Sequence, residues 1–259
     1  MSKETDNSIL YDPQEQIFML YDKKVSCPVC GTSFKARSIK KGSYRILKKD
    51  SDFFIRYSRI NPYFYDVWVC DECGYAAIKN DFEKLSDYDA QMIKGKISPK
   101  WKHKNYPEVY DINLAIQRYK LSLLNYYTIN SKASKKAINC LKLAWMYRLK
   151  DDHGSELQFL KQALNNFSTA YYNEPSPICG MDKYTTMYLI GELKRRLGDG
   201  EESLIWFSQV MTSPTSSQKI KDLAREQRDL IKSNTENTIE QEQTTDNKQS
   251  HKFFHKFRK

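Results

Sequence analysis

The chain has 259 residues, room for one or two domains, and its 40% hydrophobic and 29% charged residues are the balance of a globular protein. A net charge of +10 suits surfaces that meet polyanions, while six cysteines in so long a chain exclude a disulfide-built mini-protein and fit a reducing compartment. No stretch approaches the ~18 apolar residues of a membrane span, so a cytoplasmic protein is expected.

Residues 1–24 read as a leader, loose from Met1 to Tyr11. Met1 to Gln16 is polar, and Ile17 to Leu20 is too short for the apolar centre of a secretory signal, so none is expected. Residues 25–92 are organised by two turns, Cys27-Pro28-Val29-Cys30-Gly31 and Cys70-Asp71-Glu72-Cys73-Gly74. Zinc takes four ligands in a tetrahedron, and a two-residue spacer lets both thiolates of a turn reach one ion. Glycine after each second cysteine permits the positive φ that aims backbone N–H groups at sulfur. The doubled turn therefore predicts one structural Zn²⁺ on Cys27, Cys30, Cys70 and Cys73. A redox dithiol is usually single and lies near a βαβ pattern, and neither holds here.

Thirty-nine residues separate Cys30 from Cys70, against about 15–20 in the common pattern. The intervening chain must carry structure of its own. Apolar alternation, Gly42 and Asn61-Pro62 predict short strands from Phe34 to Ile39, Ser43 to Leu47, Asp52 to Tyr57 and Tyr65 to Val69. The result is a zinc-ribbon-like antiparallel domain with a long insertion, too small to rely on its core alone. Nine Lys or Arg and no acid lie between Lys23 and Lys49, and five lysines and no acid between Lys94 and Lys104. Asp50, Asp52 and Asp66 stand near Arg45, Arg56 and Arg59 and are expected to pair with them. A short helix is expected over Asp81 to Met92, with Phe82, Leu85 and Tyr88 on one face. Residues 93–107, with Pro99 and Pro107, read as a linker holding Trp101 and His103.

From Glu108 the apolar period lengthens to about 3.6. Residues 108–234 read as helices, and this half is expected to fold without the metal because it has its own core. The first helix turns Ile112, Ala115, Ile116, Tyr119, Leu123 and Tyr126 inward; the second, near Ser134 to Lys150, uses Ile138, Leu141, Trp145 and Leu149 and carries Cys140 as a core thiol. A third follows Gly154, with Leu157, Leu160, Leu164, Phe167 and Tyr171 inward, and ends at Glu174-Pro175-Ser176-Pro177, before a loop with Cys179. A fourth runs from about Asp182 to Leu197. Asp199 caps a fifth, with Glu202 in a box-like position, Leu204, Phe207 and Met211 inward. A sixth uses Ile220, Leu223, Ala224, Gln227 and Leu230. Tyr188 to Pro214 resembles a tetratricopeptide repeat, with Gly191 at a close crossing, the Leu197-Gly198-Asp199 turn, Ser203, Phe207 and Pro214. Leu143-Ala144, Tyr147, Leu160 and Ala163 resemble an earlier copy, although Ala144 and Gly191 are 47 residues apart against a usual period of about 34. Residues 235–259 are polar, then basic and aromatic, and read as a disordered basic tail.

Cys27-Pro28-Val29-Cys30-Gly31, Asp50-Ser51-Asp52-Phe53, Asn61-Pro62, and Tyr65-Asp66-Val67-Trp68-Val69-Cys70 running into Cys73-Gly74-Tyr75-Ala76 together resemble the bacterial domain-of-unknown-function 2225 family, over about Val25 to Leu230. The resemblance implies an α+β chain, a zinc-ribbon-like part followed by tetratricopeptide-like helices, and no established activity.

No phosphate-binding glycine loop, nucleophile elbow or H-E-x-x-H motif is present, and four cysteines would close a zinc site to substrate. No catalytic residue is therefore expected. The leading expectation is a non-catalytic adaptor whose helical groove takes a protein or peptide. One alternative is a nucleic-acid-associated protein using Lys35, Arg37, Lys40, Lys41, Arg45, Lys48 and Lys49, with Phe34, Tyr44, Phe53, Phe54 and Tyr57 as a stacking platform and binding only weakly. Another is an enzyme of unknown reaction.

Overall fold

A computed structural model describes residues 13–233, which fall into two compact units, the first ending at Gly180 and the second beginning at Met181. The leader up to residue 12 and the basic tail over 235–259 lie outside the described residues.

After a short helix, α1 (Pro13–Phe18), the first unit lays down three antiparallel hairpins. They pair β1 (Leu20–Ser26) with β2 (Ser33–Ile39), β3 (Arg45–Lys49) with β4 (Ile55–Ser58), and β5 (Val67–Val69) with β6 (Ala76–Ile78). The first and last hairpins each turn through one cysteine pair. The long gap between the pairs is filled by β2, the β3–β4 hairpin and a 3-10 turn at Pro62–Tyr65. Small antiparallel hairpins followed by helices are the α+β arrangement expected. β1, however, occupies chain read as leader, because Val25 alternates into the core opposite Phe34. The strand expected from Asp52 begins only at Ile55, since Phe53 takes a positive φ of 69° and Asp52 turns fully inward. The strand expected from Tyr65 is shortened as well. Asn61 Oδ1 accepts from the Tyr63 N–H at 3.0 Å and holds Pro62–Tyr65 in the 3-10 turn. Val67, Trp68 and Val69 are all buried rather than alternating. The hairpin is covered on both faces, by the next long helix and by the core around the cysteines.

The single helix expected over Asp81 to Met92 is two helices, α2 (Lys79–Phe82) and α3 (Asp87–Lys96). The chain restarts at Ser86, whose Oγ accepts from the Asp89 N–H at 3.1 Å. Phe82 is buried but Tyr88 is 74% exposed, so the two share no face. α3 runs into a turn at Ser98–Lys100, and part of the expected linker is thereby ordered against the hairpins.

Three long helices complete the unit: α4 (Ile112–Thr128), α5 (Ala133–Leu149) and α6 (His153–Asn173). Asp111 caps α4 by accepting from the Leu114 N–H at 2.7 Å, and Asp152 caps α6 through the Ser155 N–H at 3.0 Å. α4 buries Ala115, Ile116, Tyr119, Leu123 and Tyr126, as its period predicts. It also buries Arg118, Ser122 and Asn125, because β5, β6 and α5 together cover more than one stripe of it. On α6, Leu157 is 46% exposed instead of inward, and Glu156 takes the buried position.

In the second unit, α7 (Lys183–Arg196) and α8 (Gly200–Thr212) precede a further helix over 218–233. Asp182 and Asp199 cap the first two through the Thr185 and Glu202 N–H groups, at 2.7 and 3.3 Å. The capping box closes on one side only, since the Asp199 N–H donates to the Lys194 carbonyl. Gly191 sits where α7 meets α8: a Cβ there would stand 2.9 Å from the Phe207 ring and 3.1 Å from Trp206 Cβ. Ser203 Oγ donates to the Gly191 carbonyl across the same crossing at 2.8 Å. Leu230, expected inward, is 48% exposed.

Candidate metal centre

Both cysteine turns fold alike. In the first, the Gly31 N–H donates to the Cys27 carbonyl at 2.9 Å and the Cys27 N–H to the Thr32 carbonyl at 2.9 Å. In the second, the Gly74 N–H donates to the Cys70 carbonyl at 2.9 Å and the Cys70 N–H to the Tyr75 carbonyl at 2.8 Å. Gly31 and Gly74 take φ of 76° and 74°, the left-handed conformation that the trailing glycines were expected to supply. Val29 N–H points at Cys27 Sγ, 3.4 Å away.

The two turns face each other. Cys27 Sγ lies 3.5 Å from Cys73 Sγ, and Cys30 Sγ lies 3.6 Å from Cys70 Sγ. All four sulfurs are within 4.8 Å of one another and could hold a metal ion. Cys27, Cys70 and Cys73 are buried; Cys30 reaches solvent. Hydrogen bonding from Cys70 and then Cys73 lowers the Cys27 thiol to about 4, and the same contact with Cys27 pushes Cys73 up. Such crowding favours thiolate at one sulfur and resists it at the next, a conflict that a bound cation removes.

The cluster is part of a core, not a surface clip. Val25, Ala36, Trp68, Tyr75, Phe82, Ile93 and Tyr126 pack with its cysteines. Tyr126 reaches in from α4, its hydroxyl accepting from the Ile78 N–H and donating to Asp81 Oδ2, both at 3.1 Å. Trp101 closes the second turn. Its Nε1 donates to the Asp71 carbonyl at 2.7 Å, and its ring lies so close to Gly74 that a Cβ there would come within 2.6 Å. Sequence reading left Trp101 in a linker; a tryptophan among lysines was the available signal. His103 pairs with Glu72, at 3.6 Å. Cys140 is a core thiol as expected, pushed up to about 12 by burial, and Cys179 lies in a loop where its Sγ donates to the Ser134 carbonyl.

A second polar cluster was only half visible in the sequence. Asp50 pairs with Arg56 at 3.1 Å as expected, but its other partner, and the partner of Asp52, is Arg148 of α5. Arg148 lies 2.6 Å from both Asp52 and Glu156 and 3.3 Å from Asp50. Trp145 Nε1 donates to Asp52 at 3.0 Å while its ring stacks on Phe54. Asp66 meets Lys142 at 2.6 Å and Lys79 at 3.7 Å, and Tyr119 donates to it at 3.3 Å. Arg59 pairs with Glu15 instead, and Arg45 is exposed. Helical periodicity scores apolar residues, so the inward Arg148 and Glu156 left no trace in it.

The basic stripe divides by strand face. Lys35 and Arg37 share the face opposite to Phe34 and Ala36, as alternation requires, and Arg37 pairs with Asp22 at 3.1 Å. Lys40 donates to the Phe18 carbonyl; Lys41, Arg45, Lys48 and Lys49 are exposed. Of the expected stacking platform, Phe54 and Tyr57 are buried, Phe34 and Phe53 half-buried, and Tyr44 exposed.

Among the described residues no helix is long and apolar enough to cross a membrane. A curated relative from Borreliella burgdorferi, described as an uncharacterized protein, is 23% identical over 146 residues, which is 48% of this chain and 51% of the relative. The chain thus spans about half the length of the curated relative it matches. No solved structure matches. The family model described as "Uncharacterized protein conserved in bacteria (DUF2225)" matches residues 20–231, and the chain belongs to that family.

Proposed function

We propose that this protein is a non-catalytic, cytoplasmic adaptor in which one Zn²⁺ on Cys27, Cys30, Cys70 and Cys73 stiffens the hairpins while the helices take a protein or peptide. The observation that carries the zinc reading is closure. Two matched turns bring four thiols and, among the described residues, nothing else of the ligand type to one point. A tetrahedron with Zn–S of about 2.3 Å has edges of about 3.8 Å, close to the 3.5 and 3.6 Å sulfur separations. All-cysteine sites suit zinc, and catalytic zinc keeps a position for water that four sulfurs would fill.

The adaptor reading is supported by large apolar side chains left open on the helices: Leu124 and Tyr127 on α4, Leu157 and Tyr172 on α6, and Ile205 on α8. Such residues at a surface suit partner contact. The close Gly191 crossing and the Asp199 turn support the tetratricopeptide likeness of residues 188–214.

Metal analysis of the purified chain should return one zinc per molecule. Cys70→Ser should lower that content and melt the hairpin region earlier; full occupancy with unchanged stability would sink the assignment. For the adaptor, affinity capture from native cells should retain a specific protein partner after nuclease treatment. Loss of every partner with nuclease would overturn it.

A further inference from the structure

A cavity of about 580 Å³ opens beside the first hairpin, lined by Tyr21, Lys23, Lys41, Tyr44, Tyr65 and Trp68. Strand pairing explains how it arises. Val25 opposite Phe34, Lys23 opposite Ala36, and Tyr21 opposite Ser38 lie on one face of the β1–β2 hairpin. At the cysteine end that face is apolar and joins the core. At the far end it turns basic and aromatic, and the space beneath it stays open.

Two features of this cavity remain open to a ligand, the charge of its lysines and the faces of its tyrosines. Lys23 holds its ammonium 4.8 Å from the centre of the Trp68 ring. Among the described residues neither Lys23 nor Lys41 reaches a carboxylate at ion-pair distance, whereas Lys79, also at the rim, is held by Asp66 at 3.7 Å. Among the described residues Glu83 is the one acid in the lining, against three lysines. Trp68 is only 5% exposed and packs with the core around the cysteines, so it forms the floor of the cavity. Tyr21 and Tyr44 remain 44% and 42% exposed, leaving ring surface open at the mouth.

We propose that this cavity is a nucleotide site, taking either a free nucleotide or one residue of a single strand. Lys23 and Lys41 supply charge for a phosphate, and Tyr21 and Tyr44 supply ring faces for a base. An acidic peptide would use the lysines but leave the two tyrosine rings without work. The site is separate from the helical surface invoked for the adaptor role, and partner capture by the helices neither needs it nor tests it.

Calorimetric titration of the full, zinc-loaded chain with AMP, GMP, CMP and UMP, and separately with a short single strand of mixed sequence, tests the assignment. Saturable binding of a mononucleotide or of the strand is expected, weakened roughly tenfold by Lys41→Ala and by Tyr44→Ala, with circular dichroism checking that each variant keeps its fold. Lys48→Ala, equally basic but outside the cavity, should bind as wild type. Mononucleotide binding identifies a free ligand; binding of the strand alone identifies a residue within one. No heat from either probe, equal competition by inorganic phosphate, or equal weakening by Lys48→Ala would overturn the proposal.

Discussion

Arg148 shows how a single buried charge can organise its surroundings. Taking a guanidinium out of water is expensive, and burial alone works against its charge. Hydrogen bonds and charge from Asp52, then Glu156, more than offset that and keep it protonated. Removing it would strip Asp50, Asp52 and Glu156 of their shared guanidinium, leaving Arg56 beside Asp50 and the exposed His153 beside Glu156. Arg148→Met should therefore destabilise the chain by about 3–5 kcal/mol, the usual result of removing one member of a buried ion pair. Arg148→Lys should fall between, because an ammonium keeps the charge but cannot fork to two carboxylates. Urea unfolding curves measure both, and a methionine variant with the wild-type midpoint would show that the cluster adds nothing to stability. The residues involved explain why it was only half legible. Asp50 and Asp52 stand out as acids after a basic run, but their partner lies 96 residues from Asp52 on a helix whose apolar period gives it no special place.

Among the elements, the α7–α8 crossing depends most plainly on one residue. A side chain at Gly191 would drive into the Phe207 ring and the Trp206 Cβ, and the Ser203 hydrogen bond holds the two backbones too close for the helices to part easily. Gly191→Leu should cost about 1–3 kcal/mol by overpacking, read as a lowered thermal midpoint. An unchanged melt would mean the crossing yields. This element was legible in the sequence, as was the Asp199 cap, because a glycine amid helix formers and an aspartate before a periodic run each have a local physical cause. The cysteine turns were legible for the same reason. The strands were less so. β5 buries both faces, which erases alternation, and β1 hides its single inward valine among lysines. Breaks such as that between α2 and α3 are set by Ser86 capping, a signal a continuous apolar count passes over.

At the scale of the molecule, the question is what a metal on the four cysteines would hold together. If the chain divided near residue 107, stripping the ion would melt the hairpins and spare every helix. The contacts of the first unit argue otherwise. Arg118 of α4 donates to the Val67 carbonyl at 2.8 and 3.1 Å, and Tyr126 bonds the Ile78 N–H. Tyr126 and the cysteines also belong to one buried cluster with Ile93 of α3. Four thiols without a cation would crowd like groups in that core, so chelation should loosen α3 and α4 along with β1, β2, β5 and β6. The second unit carries buried residues of its own, Tyr188, Leu193, Phe207 and Val210 among them, and should keep its structure. Hydrogen exchange followed by mass spectrometry, with and without a zinc chelator, separates the two outcomes. Faster exchange in the hairpins and across α3 and α4, with α7 and α8 still protected, is the expected result. Protection kept throughout α4 after the metal has been removed would mean that the helix holds its place without the cysteine cluster, and that the ion staples the hairpins alone.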